Sequence, residues 1–429
     1  MTIYFLISIF IFVATLVLVL KNPKHVGVGY WTLIGAGISY FLGIITLSDV
    51  LEVWGIVWNA TFTFVAIIII SLIFDEAGIF EYAAIRISRL AKGNGVLLFV
   101  FIVILGAMIS AIFANDGTAL LLTPIVYSML YRLKVEKKYI IPFIMATGFI
   151  ADSASLPLPV SNLVNIVSLT YFKLSFIEYS KIMIFPDIIS ILASLSFLLL
   201  FYRHSIPRSY DWIALGDPKS VIREPKIFKA ALPVIVILIA AYAVGSVYSV
   251  PIAFIASAAA VFLLLLTKFE SSIDIPKILK EAPWQIVIFS FGMYLIVFGM
   301  GHEGLTNIIA MIIADILRFP GPIPAIFTGY FFGTMAAGMN NMPSVLIGAL
   351  SISHITSYPN YLIYTNIIGN DIGPKFTPIG SLATMLWIYT LQRKGGIDIS
   401  YRYYMKVGFL IALPVLTLTL LALWAVMII

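Results

Sequence analysis

The chain has 429 residues, of which 61% are hydrophobic and 11% charged, with a mean hydropathy of +1.07. A soluble domain carries about 25% charged residues, so this chain cannot coat a water-facing surface of its own and reads as a polytopic membrane protein. The absence of cysteine excludes a disulfide scaffold, a thiolate zinc site and a cysteine nucleophile, and the net charge of +6 must be judged by where the charges lie.

In chain order, apolar runs long enough to cross a bilayer are expected near 2–20, 26–47, 53–74, 139–172, 179–202, 229–249, 250–267, 283–300, 359–392 and 405–429. No basic residue precedes the first run and no small-residue cleavage pattern follows it, so it reads as a retained span. The runs 139–172 and 359–392 are too long for one straight helix, and Gly and Pro interrupt both. Two further runs, 95–131 and 322–357, each hold two apolar stretches parted by a polar break, Asn115-Asp116-Gly117 in one and Asn340-Asn341 in the other. Such breaks survive at membrane depth only inside protein or beside a water-filled cavity, so both runs are expected to be re-entrant hairpins. Ten crossings then put 22 of the 26 Lys and Arg residues on one side, from Lys21 and Lys24 to Arg393, Lys394, Arg402 and Lys406. Lys173, Lys181 and Arg318 fall on the other side, and Lys375 lies within a span. This bias makes the basic side cytoplasmic, puts both termini outside, and accounts for the charge without nucleic acid.

The two halves repeat. Asp152 is followed by Pro159 and Leu163 as Asp371 is followed by Pro378 and Leu382, a constant shift of 219, and the Asn-containing tips match at a shift of 225. Each half reads as three spans, a hairpin, a broken span and a final span. Five crossings are an odd number, so the second half is expected upside down. The fold class is therefore all-α, with inverted repeats 1–202 and 229–429 joined by a cytoplasmic linker, 203–228. Inverted repeats with discontinuous helices characterise secondary transporters, whose substrate sits near the midplane where half-helix ends present unpaired backbone groups.

The expected midplane holds Asp116, Asp152, Asp371 and Lys375. An ionisable group there costs at least about 2.5–3.5 kcal/mol, which makes each a functional candidate. Asn115, Asp116, Gly117, Thr118, Asn340 and Asn341 at the tips, with Ser155, Thr377 and Ser381 at the breaks, are the candidates for hydrogen-bonding a substrate. Helix capping alone is the plainer role for the tip residues. Ser153, Ser161 and Asn162 line the same breaks, where satisfying backbone groups is their ordinary use. Asp187, just after Pro186, reads as a buried scaffold residue. Asp371 and Lys375 stand four apart, the spacing of a structural ion pair, whereas Asp152 either meets Lys375 in space or carries a proton. Asp152 is then the favoured proton carrier, because Asp371 has Lys375 nearby in sequence and Asp116 sits at a helix N-terminus. Opposed carboxylates also occur in intramembrane aspartyl proteases, but Gly369-Asn370 precedes Asp371 where those enzymes carry Gly-x-Gly-Asp. No enzyme activity is expected, and without a GxxxxGK[ST] loop the energy must come from a gradient or a partner ATPase.

The stretches 113–124 (FANDGTALLLTP), 148–167 (GFIADSASLPLPVSNLVNIV), 282–294 (APWQIVIFSFGMY), 340–350 (NNMPSVLIGAL) and 371–386 (DIGPKFTPIGSLATML) resemble the arsenite permease family of the ArsB type. The resemblance runs in order over essentially the whole chain. It implies a plasma-membrane carrier of the ion-transporter superfamily that exports arsenite and antimonite in exchange for protons. Such carriers need no cofactor and in some organisms couple to a soluble arsenite-stimulated ATPase; a homodimer is a compatible assembly. Trivalent arsenite is an uncharged trihydroxide at neutral pH, matched by Asn, Asp, Ser and Thr. A di- or tricarboxylate would call for more cations than Lys375, and sodium/proton exchange is the alternative reading. The loop charges predict that 131–138, 203–229 and 393–406 face the cytoplasm. Single cysteines placed in this cysteine-free chain should resist an impermeant thiol reagent there in intact cells, and efficient external labelling at 203–229 would overturn the topology.

Overall fold

In an apolar medium each backbone N–H and C=O must find its partner within its own segment, and helices do this. The computed structural model describes residues 3–23, 26–270, 273–392 and 396–428; Lys24, Arg393 and Lys394 of the basic loops lie outside them. Among the described residues there are 19 α-helices, and the only extended pairing is a single bridge between Asn94 and Ser209. The first half runs α1 (Ile3–Lys21), α2 (Val28–Phe41), α3 (Leu47–Glu76), α4 (Ile79–Leu90), α5 (Gly95–Ile112), α6 (Asn115–Arg132), α7 (Lys137–Ser153), α8 (Leu163–Phe172) and α9 (Phe176–Tyr202). The second runs α10 (Pro225–Val247), α11 (Ile252–Glu270), α12 (Ile275–Glu281), α13 (Trp284–His302), α14 (Leu305–Ile316), α15 (Ile323–Met339), α16 (Asn341–Ser353), α17 (Tyr361–Ile372), α18 (Leu382–Thr390) and α19 (Tyr401–Ile428). Apart from the split between α12 and α13, and from α2 being shorter than its counterpart α11, the helices follow one another in the same way in both halves.

Eight helical runs among the described residues are long and apolar enough to cross a membrane, so this is a multi-pass membrane protein. They are α1, α3, α5, α9, α10, α11, the run Ile275–His302 and α19. The expected span at 26–47 is instead the 14-residue α2, about 21 Å long, followed by a turn that buries Ile44 and Ile45. The runs 139–172 and 359–392 are each two shorter helices, divided at Pro157 and Pro159 in the first and at Gly373, Pro374, Pro378 and Gly380 in the second, while Gly148 lies inside α7. Helices α4 and α14 stand where loops were expected. Each has an apolar face at helical spacing, Phe80, Ala84 and Ile85 in α4 and Ile309, Ala310 and Ile313 in α14.

Local caps set several of these boundaries. Thr46 and Asp49 form a capping box at α3, with Thr46 N–H to Asp49 Oδ2 at 2.7 Å and Asp49 N–H to Thr46 Oγ1 at 3.3 Å. Asn94 accepts from Leu97 N–H at 3.0 Å and Ser175 from Glu178 N–H at 3.1 Å. The packing then exchanges elements between halves: α2 lies on α13 and α3 on α11, α8 touches α16 and α6 touches α18, and α9 runs against α19. Within each half the same neighbours recur, α5 and α6 against α7, and α15 and α16 against α17.

Residues 203–228 are a packed strap. Tyr210 donates its hydroxyl to Ser88 O at 2.6 Å and its N–H to Gly93 O at 3.0 Å. Arg223 donates its N–H to Ala77 O and pairs with Glu81 at 2.7 Å, while Arg132 at the end of α6 reaches the same carboxylate at 3.2 Å.

Helix α15 packs backbone to backbone on the turn after α17, where a Cβ on Gly373 would stand 2.2 Å from Gly333 Cα and 2.6 Å from its carbonyl oxygen. Backbone cannot yield as a side chain can. Gly373→Ala should therefore destabilise the fold by about 1–3 kcal/mol, seen as a lowered melting temperature of the purified protein; an unchanged melt would show that this crossing is loose.

Candidate substrate and coupling site

The tip between α5 and α6 turns at Ala114, with φ 57° and ψ 141°, and the tip between α15 and α16 turns at Asn340, with φ 79° and ψ 146°. Non-glycine residues avoid this region at a cost of order 1–3 kcal/mol and keep it where the surroundings enforce it. The shared backbone aligns Ala114 with Asn340, and hence Asn115 with Asn341, one residue from the match made on the Asn pairs. The reason is that the unusual backbone belongs to the residue before the helix, which is Ala in one half and Asn in the other. Asn340 caps its helix, accepting from Met342 N–H at 3.2 Å, a bond the Ala114 methyl cannot make.

Each tip is tied to the helix break of its own half. Asn115 Nδ2 donates to Asp152 Oδ1 at 2.7 Å. Asn341 N–H donates to Gly380 O at 2.9 Å, Asn340 Nδ2 to Ile379 O at 3.4 Å, and Thr377 Oγ1 to Ala337 O at 2.5 Å. Asp116 and Gly117 are buried in the first turn of α6, and Thr118 Oγ1 donates back to Ala114 O at 3.2 Å. Asn115 Oδ1 is buried with no hydrogen-bond partner.

The first break lies between Ser153 and Leu163, with a short 3-10 turn over Pro159–Ser161. Its backbone groups are taken up by buried side chains. Leu156 N–H donates to Asp187 Oδ1 at 3.3 Å, Tyr179 OH to Leu156 O at 3.0 Å, and Asn165 Nδ2 to Ser155 O at 2.7 Å. Ser153 Oγ accepts from Ser194 at 3.0 Å, and Ser161 Oγ donates to Leu158 O at 2.5 Å. Asn162 caps α8, accepting from Val164 N–H at 3.1 Å, and its amide donates to Asp371 Oδ1 at 2.7 Å and Ser155 Oγ at 3.3 Å. The second break follows α17 as a 3-10 turn over Gly373–Phe376; Ser381 stands buried at the N-cap of α18 without a side-chain cap bond.

Lys375 does not pair with Asp371. Its Nζ lies 2.7 Å from Asp152 Oδ2, donates to the Gly148 carbonyl, and sits 5.5 Å above the Phe149 ring. The four-residue spacing would join Asp371 and Lys375 only on a continuous helix. The 3-10 turn begins at Gly373, between them, and re-aims the lysine toward the first half. Both charged side chains are almost wholly buried, at 3% and 2% exposure. A cavity of about 10 Å³, room for one water, lies against Asp152, Lys375, Thr384 and Tyr404. Among the described residues the two tips share no hydrogen bond; the Asp152–Lys375 pair links them. Asn165, Thr384 and Tyr404 were missed from sequence. Asn165 and Thr384 stand at the same shift of 219 as the two aspartates, a signal that was present, whereas Tyr404 arrives from α19 with no local signature.

A family model described as arsenical pump membrane protein matches residues 7–427. The chain is 47% identical over 417 residues to the arsenical pump membrane protein of Yersinia enterocolitica and 46% identical over 416 residues to that of Escherichia coli. Each alignment covers 96% of this chain and 97% of the relative. The fold is similar to that of Neisseria gonorrhoeae MtrF, whose structure is described as illuminating a class of antimetabolite efflux pumps. That likeness has a TM-score of 0.56 at 13% identity and covers 100% of this chain and 94% of the other.

Removing one member of the ion pair leaves the other charge buried and unpaired, which costs about 3–5 kcal/mol. Asp152→Asn and Lys375→Met should each lower the melting temperature strongly, and the double variant should melt above either single one. A double variant melting below both would show that the two charges do not act as a unit.

Proposed function

The chain belongs to the arsenical pump membrane protein family, and we propose that it is a secondary active transporter of the cell membrane that exports arsenite and antimonite, as neutral trivalent hydroxides, in exchange for protons. The observation that carries this reading is the bonding of each strained tip to a helix break among buried ionisable groups. The exchanged packing of α2, α3, α11 and α13 fits two inverted repeats, 1–202 and 229–429, around the cytoplasmic strap 203–228, with both termini outside. In that arrangement α5–α6 and α15–α16 are hairpins entering from opposite sides.

A trihydroxide both donates and accepts hydrogen bonds. Asn115, Asp116, Gly117 and Thr118 of one tip, Asn340 and Asn341 of the other, and Ser155, Thr377 and Ser381 of the breaks supply complementary groups. The unpartnered Asn115 Oδ1 is an acceptor ready for a hydroxyl. The one-water cavity beside Asp152 is too small for the substrate, so loading requires a tip and a break to part. A neutral solute gains nothing from the membrane potential, and export against a gradient needs a charge moving the other way. One elementary charge crossing 100 mV supplies about 2.3 kcal/mol, roughly a fiftyfold gradient. A carboxylate among Asp116, Asp152 and Asp371, with Lys375 as counter-charge, carries that proton.

Everted membrane vesicles energised with a proton gradient should accumulate arsenite or antimonite and not citrate or succinate. Asn115→Ala and Asn340→Ala should each weaken uptake by a few-fold to roughly tenfold, the worth of one or two hydrogen bonds of about 0.5–1.5 kcal/mol. Sodium-driven proton movement with no metalloid uptake would make the protein a sodium/proton exchanger instead.

A further inference from the structure

The two breaks are equivalent by sequence, yet they give the two carboxylates different partners. At the shift of 219, Asp152 corresponds to Asp371, Asn162 to Ser381, and Leu156 to Lys375. Each carboxylate reaches across to the break of the other half. Asp152 meets an ammonium, Lys375, at 2.7 Å; Asp371 meets a neutral amide, Asn162 Nδ2, also at 2.7 Å. Where one half places Lys375 the other places Leu156, so no cation in the first break answers the charge of Asp371, which meets only the Asn162 amide and the Ser155 hydroxyl there. Its second oxygen, Oδ2, is buried without a hydrogen-bond partner, as is Asn165 Oδ1 in the break it faces.

The groups that surround Asp371 do not supply the missing cation. Asp152 of α7, Asp187 and Tyr179 of α9, and Asp116 of α6 face it. Helices α8 and α15 bring only Tyr171 and Tyr330, and α16 brings no titratable side chain. Helix α19 brings the buried Tyr404, with Arg402 and Lys406 exposed, and the lysines of α7, Lys137 and Lys138, are exposed as well. Lys375 is the one buried cation among the described residues, and it is committed to Asp152.

We infer that Asp371 binds and releases the coupling proton, that Asn162 positions it, and that Asp152–Lys375 is a standing ion pair holding the two breaks together. The inference rests on the proton-coupled reading above and reverses the preference for Asp152, which assumed that Lys375 served Asp371. As the neutral acid, Asp371 accepts from Asn162 at Oδ1 and places a donor on Oδ2, leaving no unpaired charge on this carboxyl group. The step is a proton transfer: an O–H bond forms on Asp371 from water-borne H⁺ on the outer side and breaks to water on the cytoplasmic side. The substrate moves outward in the other half of the cycle.

Asp371→Asn keeps the shape of the acid and removes the titration. In everted vesicles, the roughly fiftyfold accumulation that one charge per 100 mV supports should fall to about one. Exchange of labelled for unlabelled metalloid should persist and lose its pH dependence. Asn162→Ala should move the pH midpoint of exchange, which a purely structural role would leave in place. The double variant Asp152→Asn with Lys375→Met should recover part of the accumulation that Lys375→Met alone loses. Undiminished accumulation by Asp371→Asn, or a folded double variant that exchanges without accumulating, would overturn the assignment. A substrate-independent arm separates this from the choice of cargo. Infrared difference spectra of the purified protein between acidic and alkaline buffer should show a carboxylic acid C=O band. Asp116 and Asp187 are buried carboxylates too, so the component assigned to Asp371 is the one lost in Asp371→Asn and kept in the double variant; a spectrum unchanged by Asp371→Asn would sink the inference even in a protein that moves no metalloid. Absence of metalloid exchange by the unaltered protein would sink the exporter reading alone.

Discussion

Two opposite charges, each almost wholly buried and 2.7 Å apart, join the end of α7 to the turn after α17, and the remaining contacts of the site are arranged around them. Desolvating both groups is costly, and the attraction repays it only where further hydrogen bonds complete the geometry. Here they do. Asn115 brings the first tip to the free side of the same carboxylate, and Gly148 offers its carbonyl to the ammonium. One interaction therefore holds a tip, the end of one half-helix and the break of the other half. A pair of this kind adds little net stability over a well-packed apolar substitute. Its effect is to specify which elements meet, because an alternative packing would strand a charge in a low-dielectric interior.

The same logic governs the broken helices. Each break frees backbone groups that lipid cannot satisfy, so the breaks must be enclosed by protein and supplied with side-chain partners. Asp187, Tyr179, Asn162 and Asn165 supply them in the first half. The enclosure comes from the exchange of elements between halves, with α8 against α16 and α6 against α18. The strained residues Ala114 and Asn340 sit inside this enclosure, each in a backbone conformation that would relax if its tip were released. Strain, bonding and enclosure thus coincide at the two tips and the two breaks.

Much of this was legible in the residues. Hydropathy located the long helices, because a span must be apolar over a fixed length whatever it packs against. The Asn-rich breaks and the Gly and Pro interruptions marked the tips and the divided spans, since a polar backbone at depth has few permissible settings. The recurrence of Asp, Pro and Leu at fixed offsets marked Asp152 and Asp371, and both are buried at the ends of helices α7 and α17. Helices α4 and α14 escaped, being short amphipathic segments whose apolar faces are visible only once a neighbour is known.

The sequence by itself determined the class of the protein, its helical divisions and the small set of ionisable residues set deep within it, because each of those follows from what a stretch of chain can do alone in an apolar medium. Only the tertiary structure decided the pairing. Lys375 was four residues from one aspartate and 223 from the other, and it chose the distant one because a 3-10 turn at Gly373 redirects its side chain. The alignment of the two tips likewise depended on a backbone conformation, shared by an Ala and an Asn, that residue identity does not reveal. Partner choice in a low-dielectric interior is set by distances between elements that are remote in sequence, and those distances exist only after the two halves have packed.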